Sequence, residues 1–133
     1  MIKETSCGII TFDNNKVLLV KHNGGHVSFP KGHVEKNETY EETAYREVKE
    51  ETGIDAKIIS KDYFVNTYSP KENITKDVIF FVGIKEGGEL KPQVEEVSLC
   101  DFIPIKEAMK KITFYADKRI LTEAYELYKK ISK

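Results

Sequence analysis

"GHVEKNETYEETAYREVKEETGI", Gly32 to Ile54, decides how the rest of the chain is read. Thr39 followed three residues later by Glu42 has the pattern of a capping box, and Gly53 is placed as a left-handed stop. The spacing predicts a helix over Tyr40 to Thr52. Its apolar content is thin: Tyr40, Ala44, Tyr45 and Val48. A helix that polar is either solvated or faces something polar. With Glu47 at zero on a wheel of about 100° per residue, Glu51 falls near ~40° and Glu50 near ~300°. Ala44 and Val48 form the adjacent edge, which can pack on a sheet. The carboxylates sit beside the buried edge, and Glu42, Tyr45 and Lys49 point outward.

Glutamates three and four residues apart repel by about 0.2–0.5 kcal/mol per pair. Two of them lie at the C-terminal end, where the helix dipole disfavours negative charge. Arg46 can pair with Glu50 across one turn, but one arginine cannot neutralise three carboxylates. A hard divalent cation can, and oxygen-only ligands favour magnesium or manganese. The bland alternative is a solvated acidic helix salt-bridged to lysines.

Working outward, Thr5 to Phe12 and Lys16 to His22 read as two strands joined by "DNN", a hairpin. "NGG" breaks the chain, and "HVSF" is a short strand leading into Pro30. Beyond the helix, Ala56 to Tyr68 reads as a long strand or a pair, with "SPKEN" as a loop. "DVIFFVGI", Asp77 to Ile84, has the continuous apolar run of a strand buried on both faces. "EGG" turns the chain, and Val97 to Ile103 is another strand. Pro104 opens a short helix. A last helix, Tyr115 to Ile131, has Ala116, Ile120, Ala124, Leu127 and Ile131 as its core stripe. This irregular order predicts an α/β fold with a mixed sheet covered by helices, in one domain over residues 1–133.

The chain has 133 residues, with 21 basic and 22 acidic side chains. That balance leaves no electrostatic footprint for double-stranded nucleic acid or membrane. It is compatible with a small anionic substrate held by a few local cations. The N-terminus lacks the cleavage pattern of a signal peptide, and no segment approaches the ~20 apolar residues of a membrane span. Cys7 and Cys100 have no metal-ligand spacing and read as buried thiols of a cytoplasmic protein.

The wider frame then sharpens the acidic helix. Gly32, Glu38, Arg46, Glu47, Val48, Glu50, Glu51, Gly53 and Ile54 match every fixed position of the Nudix box. Nine constrained positions in a loop–helix–loop context are specific, and the chain resembles the Nudix hydrolase family over nearly its whole length. The resemblance implies an α/β/α sandwich and hydrolysis of a diphosphate linkage in a nucleoside diphosphate derivative. By position, Glu47, Glu50 and Glu51, with the Gly32 carbonyl, are implied magnesium ligands. Arg46 would orient a metal-binding glutamate, and Glu38 would brace the loop. The general base would be Glu50 or Glu51, or a later glutamate. Counting back six residues from Phe102 favours Glu96 over Glu95.

"FPKGHVE", Phe29 to Glu35, resembles the asymmetrical diadenosine tetraphosphate hydrolases. On that resemblance Lys31, His33 and Lys76 approach the polyphosphate, and Tyr68 and Tyr115 are platforms for adenine. The implied reaction releases ATP and AMP, catalysed by a monomer or homodimer. Three alternatives compete. One is a housecleaning enzyme for oxidised or non-canonical nucleoside triphosphates, or one acting on diphosphoinositols or capped RNA. Another is a non-catalytic nucleotide sensor, which has no need of three repelling glutamates. The last, a structural calcium site, lacks the ligand spacing of an EF-hand.

Overall fold

A computed structural model describes residues 2–132. Strands β1 (Ile2–Asp13) and β2 (Lys16–His22) form the expected hairpin, turning at Asn14 in the left-handed region. The chain continues through β3 (Val27–Ser28), β4 (Lys31–His33), helix α1 (Tyr40–Thr52), β5 (Ile54–Lys71), β6 (Ile74–Gly88), β7 (Val97–Pro104), α2 (Ile105–Lys111) and α3 (Tyr115–Ile131). The main path of the sheet runs β3-β2-β1-β6-β5, with β4 paired to β1 and β7 to β2. Among the described residues β1 and β6 pair in parallel and the other pairings are antiparallel, so the sheet is mixed.

The two-residue period of a strand sorts side chains onto opposite faces. Cys7, Ile9, Leu18, Ile79 and Phe81 pack with Ala44 and Val48 of α1. Ile10, Phe12, Leu19, Val78, Phe80 and Val82 pack with Ala108 of α2, Ile112, and Ile120, Leu121 and Ala124 of α3. The result is an α/β/α arrangement. The run Val78 to Gly83 is buried throughout, as its unbroken apolarity anticipates.

Three local expectations need correction. "SPKEN" is not a loop: β5 extends through Lys71, and the chain reverses at Glu72 and Asn73, with Lys71 opposite Ile74. "EGG" does not end β6, because Gly87 and Gly88 still pair with Asp55 and Ile54. On α3, Ile131 is 42% exposed, while Asp117 and Leu121 are buried. The rings of Tyr125 and Tyr128 close on Phe12 and Leu127 packs against the same core, while Ile131 lies outside it.

Candidate active site

Helix α1 begins with the anticipated reciprocal cap: Thr39 accepts from the Glu42 amide, and the Glu42 side chain accepts from the Thr39 amide. It ends at Gly53, whose φ of 78° places it in the left-handed region that favours glycine. The sheet-facing side carries Ala44 and Val48, and the same rotation buries Glu47 and Glu51 beside them. Glu51 is only 1% exposed, and both its carboxylate oxygens are buried without a hydrogen-bond partner. One oxygen each from Glu47, Glu51 and Glu96 lie within 4.8 Å of one another. Burial, reinforced by Glu47 and Glu96, pushes the Glu51 carboxyl up to about 9. Burial also raises Glu47, against the pull of Arg46. A buried carboxylate left without donors is costly, and the donor set of this cluster, all carboxylate oxygens, fits a hard cation.

Arg46 holds the cluster's near side. Its guanidinium donates to Glu38 at 2.6 and 2.9 Å, to Glu47 Oε2 at 2.9 Å, to Glu50 at 3.3 Å and to the His33 carbonyl at 3.1 Å. Glu38 also accepts from the Glu35 amide at 3.0 Å and the Thr43 hydroxyl at 2.8 Å. These donors, Arg46 foremost, hold the Glu38 carboxyl down at about 2. The Arg46–Glu38 pair thus ties the loop before α1 to the helix. A Cβ at Gly32 would collide with the Glu47 carboxylate, so glycine lets the backbone of β4 come against that group.

Glu96 arrives from a different part of the chain. Its loop is tied to α1 by the Gln93 amide donating to the Glu51 carbonyl at 3.1 Å. It is tied to the turn after β2 by Asn23. The Asn23 side chain donates to the Glu95 carbonyl at 2.8 Å and its amide to the Glu96 carbonyl at 3.1 Å. "NGG" therefore does more than break the chain.

A cavity of about 350 Å³ opens between β5, β6 and the start of α3. Tyr68, Phe80, Phe114 and His26 supply rings to its wall, and Ser28, Asn66 and Asp117 supply polar groups. Lys31 also lines it, and lies in the field of Glu51 and Glu47 on one side and Asp117 on the other. Partial burial and the nearby Lys76 lower the Lys31 pKa. Lys31 therefore joins the carboxylate cluster to the cavity.

Among the residues singled out from sequence, Glu47, Glu51 and Glu96 are brought together, with Gly32 and Arg46 against Glu47. Lys31 and Tyr68 line the cavity, and Lys76 is near enough for its charge to act on Lys31. Glu50 stays outside the cluster, exposed and held by Arg46. His33 is turned to Glu4 at 3.8 Å. Tyr115 is 79% exposed and does not line the cavity. The preceding residue, Phe114, occupies the N-cap of α3 and supplies the ring instead. Ser28, Asn66 and Asp117 escaped the sequence reading. Asp117 left a signal: it is a charged residue in step with Ile120, Leu121 and Ala124 on a buried stripe.

The fold is an α/β/α sandwich that presents two glutamates from a loop–helix–loop and a third from a later loop near a ring-lined cavity. The family model described as NUDIX domain matches residues 3–125, and the chain belongs to the NUDIX family. Over 108 residues it is 35% identical to the putative mutator protein MutT4 of Mycobacterium tuberculosis, covering 78% of this chain and 43% of that protein. Over 91 residues it is 43% identical to the ADP-ribose pyrophosphatase of Methanocaldococcus jannaschii, covering 63% of this chain and 52% of that protein. The chain thus spans about half the length of these curated relatives. A Caenorhabditis elegans Ap4A hydrolase structure superposes with a TM-score of 0.77 at 19% identity, covering 94% of this chain and 96% of that one. It shares the fold.

Proposed function

We propose that this protein is a magnesium-dependent hydrolase that cleaves a diphosphate linkage in nucleoside polyphosphates. The observation that carries the proposal is the buried, donorless Glu51 carboxylate gathered with Glu47 and Glu96. Three oxygen donors in a site shielded by α1 and the Glu96 loop fit a hard cation such as magnesium, with manganese as a substitute. Glu47, Glu51 and Glu96 would hold it, with the Gly32 backbone alongside and Glu50 one turn away. When bound, the ion supplies polarisation of phosphoryl oxygens and a lowered pKa for bound water. The chain's own groups do the rest. Arg46 fixes the Glu47 carboxylate and braces the loop through Glu38. Lys31 and Lys76 take the phosphate charge between cluster and cavity. Glu96, the exposed member of the cluster, accepts a proton from water attacking phosphorus in line, and a nucleotide or diphosphate leaves.

The finer reading is diadenosine tetraphosphate, split to ATP and AMP. It is supported by the "PKGH" segment that sets Lys31 beside the cluster and by Tyr68 in the cavity wall. A second reading, hydrolysis of a compound with a single base such as a non-canonical nucleoside triphosphate, is favoured by the mutator-protein relative. Magnesium plus a panel of diadenosine tetraphosphate, nucleoside triphosphates and nucleotide sugars separates them. ATP plus AMP from the first compound supports the finer reading. Monophosphate plus diphosphate from triphosphates alone supports the second. No turnover of any compound with either metal overturns the hydrolase.

A further inference from the structure

We infer that the protein associates with a second copy of itself through the outer edge of β5, the two strands running antiparallel about a two-fold axis. The inference is independent of the hydrolase reading. β5 ends the main path of the sheet, so its outward N–H and C=O groups have no strand to bond among the described residues. Natural proteins blunt such edges with bulges, prolines, charges or a covering element. The first part of this edge is blunted. The Ile58 amide donates to the Tyr45 hydroxyl at 2.9 Å, and the strand bulges between Ile58 and Tyr63. Pro70 marks the other end. Between them, Tyr63 to Ser69 ("YFVNTYS") carries no charge and no proline, in a chain of which 32% of residues are charged. Its pairing with β6 is regular from Tyr63 to Tyr68, so the run is straight enough to take a strand on its other side.

The side chains favour the same use. Tyr63 is 50% exposed, Val65 46% and Tyr68 41%. Tyr63 and Val65 stand opposite Phe81 and Ile79, on the face of the sheet that packs on α1, yet the helix leaves them open. Aromatic and β-branched residues gain most from a neighbouring strand. The charges at the two ends of the run select a copy of the same strand. Lys61 and Asp62 precede it, Lys71 and Glu72 follow it, and all four are exposed. Antiparallel self-pairing about the middle of the run reverses one pair against the other. Lys61 of each copy then comes beside Glu72 of the other, and Asp62 beside Lys71. Parallel pairing would set lysine by lysine and acid by acid, which repel. A two-fold contact uses both outer edges at once and closes at a dimer. Asn66 and Tyr68 of the same run line the cavity, so the contact braces that wall from outside.

Sedimentation velocity of the full chain, from low to several hundred micromolar, tests the inference. A concentration-dependent doubling of mass is expected. Val65→Lys puts a charge at an exposed edge position and should weaken the dimer roughly tenfold or more, since each dimer carries the change twice. Its melting temperature at low concentration should stay close to that of the wild type. Lys61→Glu should weaken association severalfold by setting acid beside Glu72. Adding Glu72→Lys should restore it, because the exchanged charges again meet their opposites. The charge exchange decides the matter even if the Val65→Lys chain does not fold. A monomer at every concentration, a dimer indifferent to Val65→Lys, a charge reversal without rescue, or growth beyond two copies would overturn the inference. Turnover by a strict monomer would remove the dimer and leave the hydrolase. A dimer without turnover would do the reverse.

Discussion

The carboxylate cluster and the ring-lined cavity lie on either side of Lys31, and they are assembled in opposite ways. Two of the three clustered glutamates come from one helix and follow from its periodicity. The cavity takes one or two residues each from β3, β4, β5, β6 and α3. The cluster is electrostatically strained: Glu51 is buried among carboxylates with no donor. The cavity's buried acid is already partnered, with Asp117 accepting from Ser28. On the proposed reading, the contrast separates a site that takes a cation from a site that takes the organic part of the substrate.

The largest expected effect breaks the cluster. Glu51→Gln should lower kcat by more than roughly a hundredfold, beyond the cost of losing a residue that merely orients a ligand. Its melting temperature in chelator should equal or exceed that of the wild type near neutral pH, because the cost of keeping a buried carboxyl protonated above its ordinary range is gone. Near-normal activity would exclude Glu51 from the site. Arg46→Gln should come next, with about a 10–100-fold loss in rate. That variant should also melt lower, since Glu38 and Glu47 lose their donor; an unchanged melting curve would show that the guanidinium is not holding the loop. Asn23→Ala probes the tether of Glu96. A rate loss of roughly tenfold with little change in nucleotide affinity is expected, within the range for a group that positions a ligand. Full activity would show that the Glu96 loop is set without Asn23.

The smallest effect sharpens the contrast through pH, measured as stability in chelator. Glu51 has its folded pKa raised to about 9, so its contribution is complete below the ordinary carboxylate range and is lost as pH rises toward 9. His22, near the cavity, has its folded pKa lowered by burial to about 4. Its contribution is complete above the ordinary histidine value near ~6.5 and is lost as pH falls toward 4. Glu51→Gln should remove the fall in stability between the ordinary carboxylate range and about 9, and His22→Gln the rise between about 4 and the ordinary histidine value, the two windows overlapping in mild acid. Denaturant midpoints across that range would show a failure of either.

Legibility in the sequence follows the same division. The α1 cap, the Gly53 stop, the hairpin and the Val78–Gly83 run were readable because each depends on neighbours a few residues away. So was the burial of Glu47 and Glu51, which the wheel placed beside Ala44 and Val48. Glu50 is equally acidic and equally spaced, but its direction depends on Arg46, whose five donors are shared among three elements. The cavity was largely illegible, because Asn66 and Ser28 acquire meaning only when β5 and β3 are brought to α3. The shift from Tyr115 to Phe114 has the same origin: one residue at a helix entry decides which ring turns inward. Gly87 and Gly88 read as a turn, yet the partner strand kept them in the sheet.

Strand β1 gives the two halves a common fate. Cys7 and Ile9 belong to the core under α1, while Ile10 and Phe12 belong to the core under α3. One backbone therefore cannot release either layer without exposing the other. Hydrogen exchange along β1 should report a single opening event, slowed alike by a cation at the glutamates and by a base in the cavity.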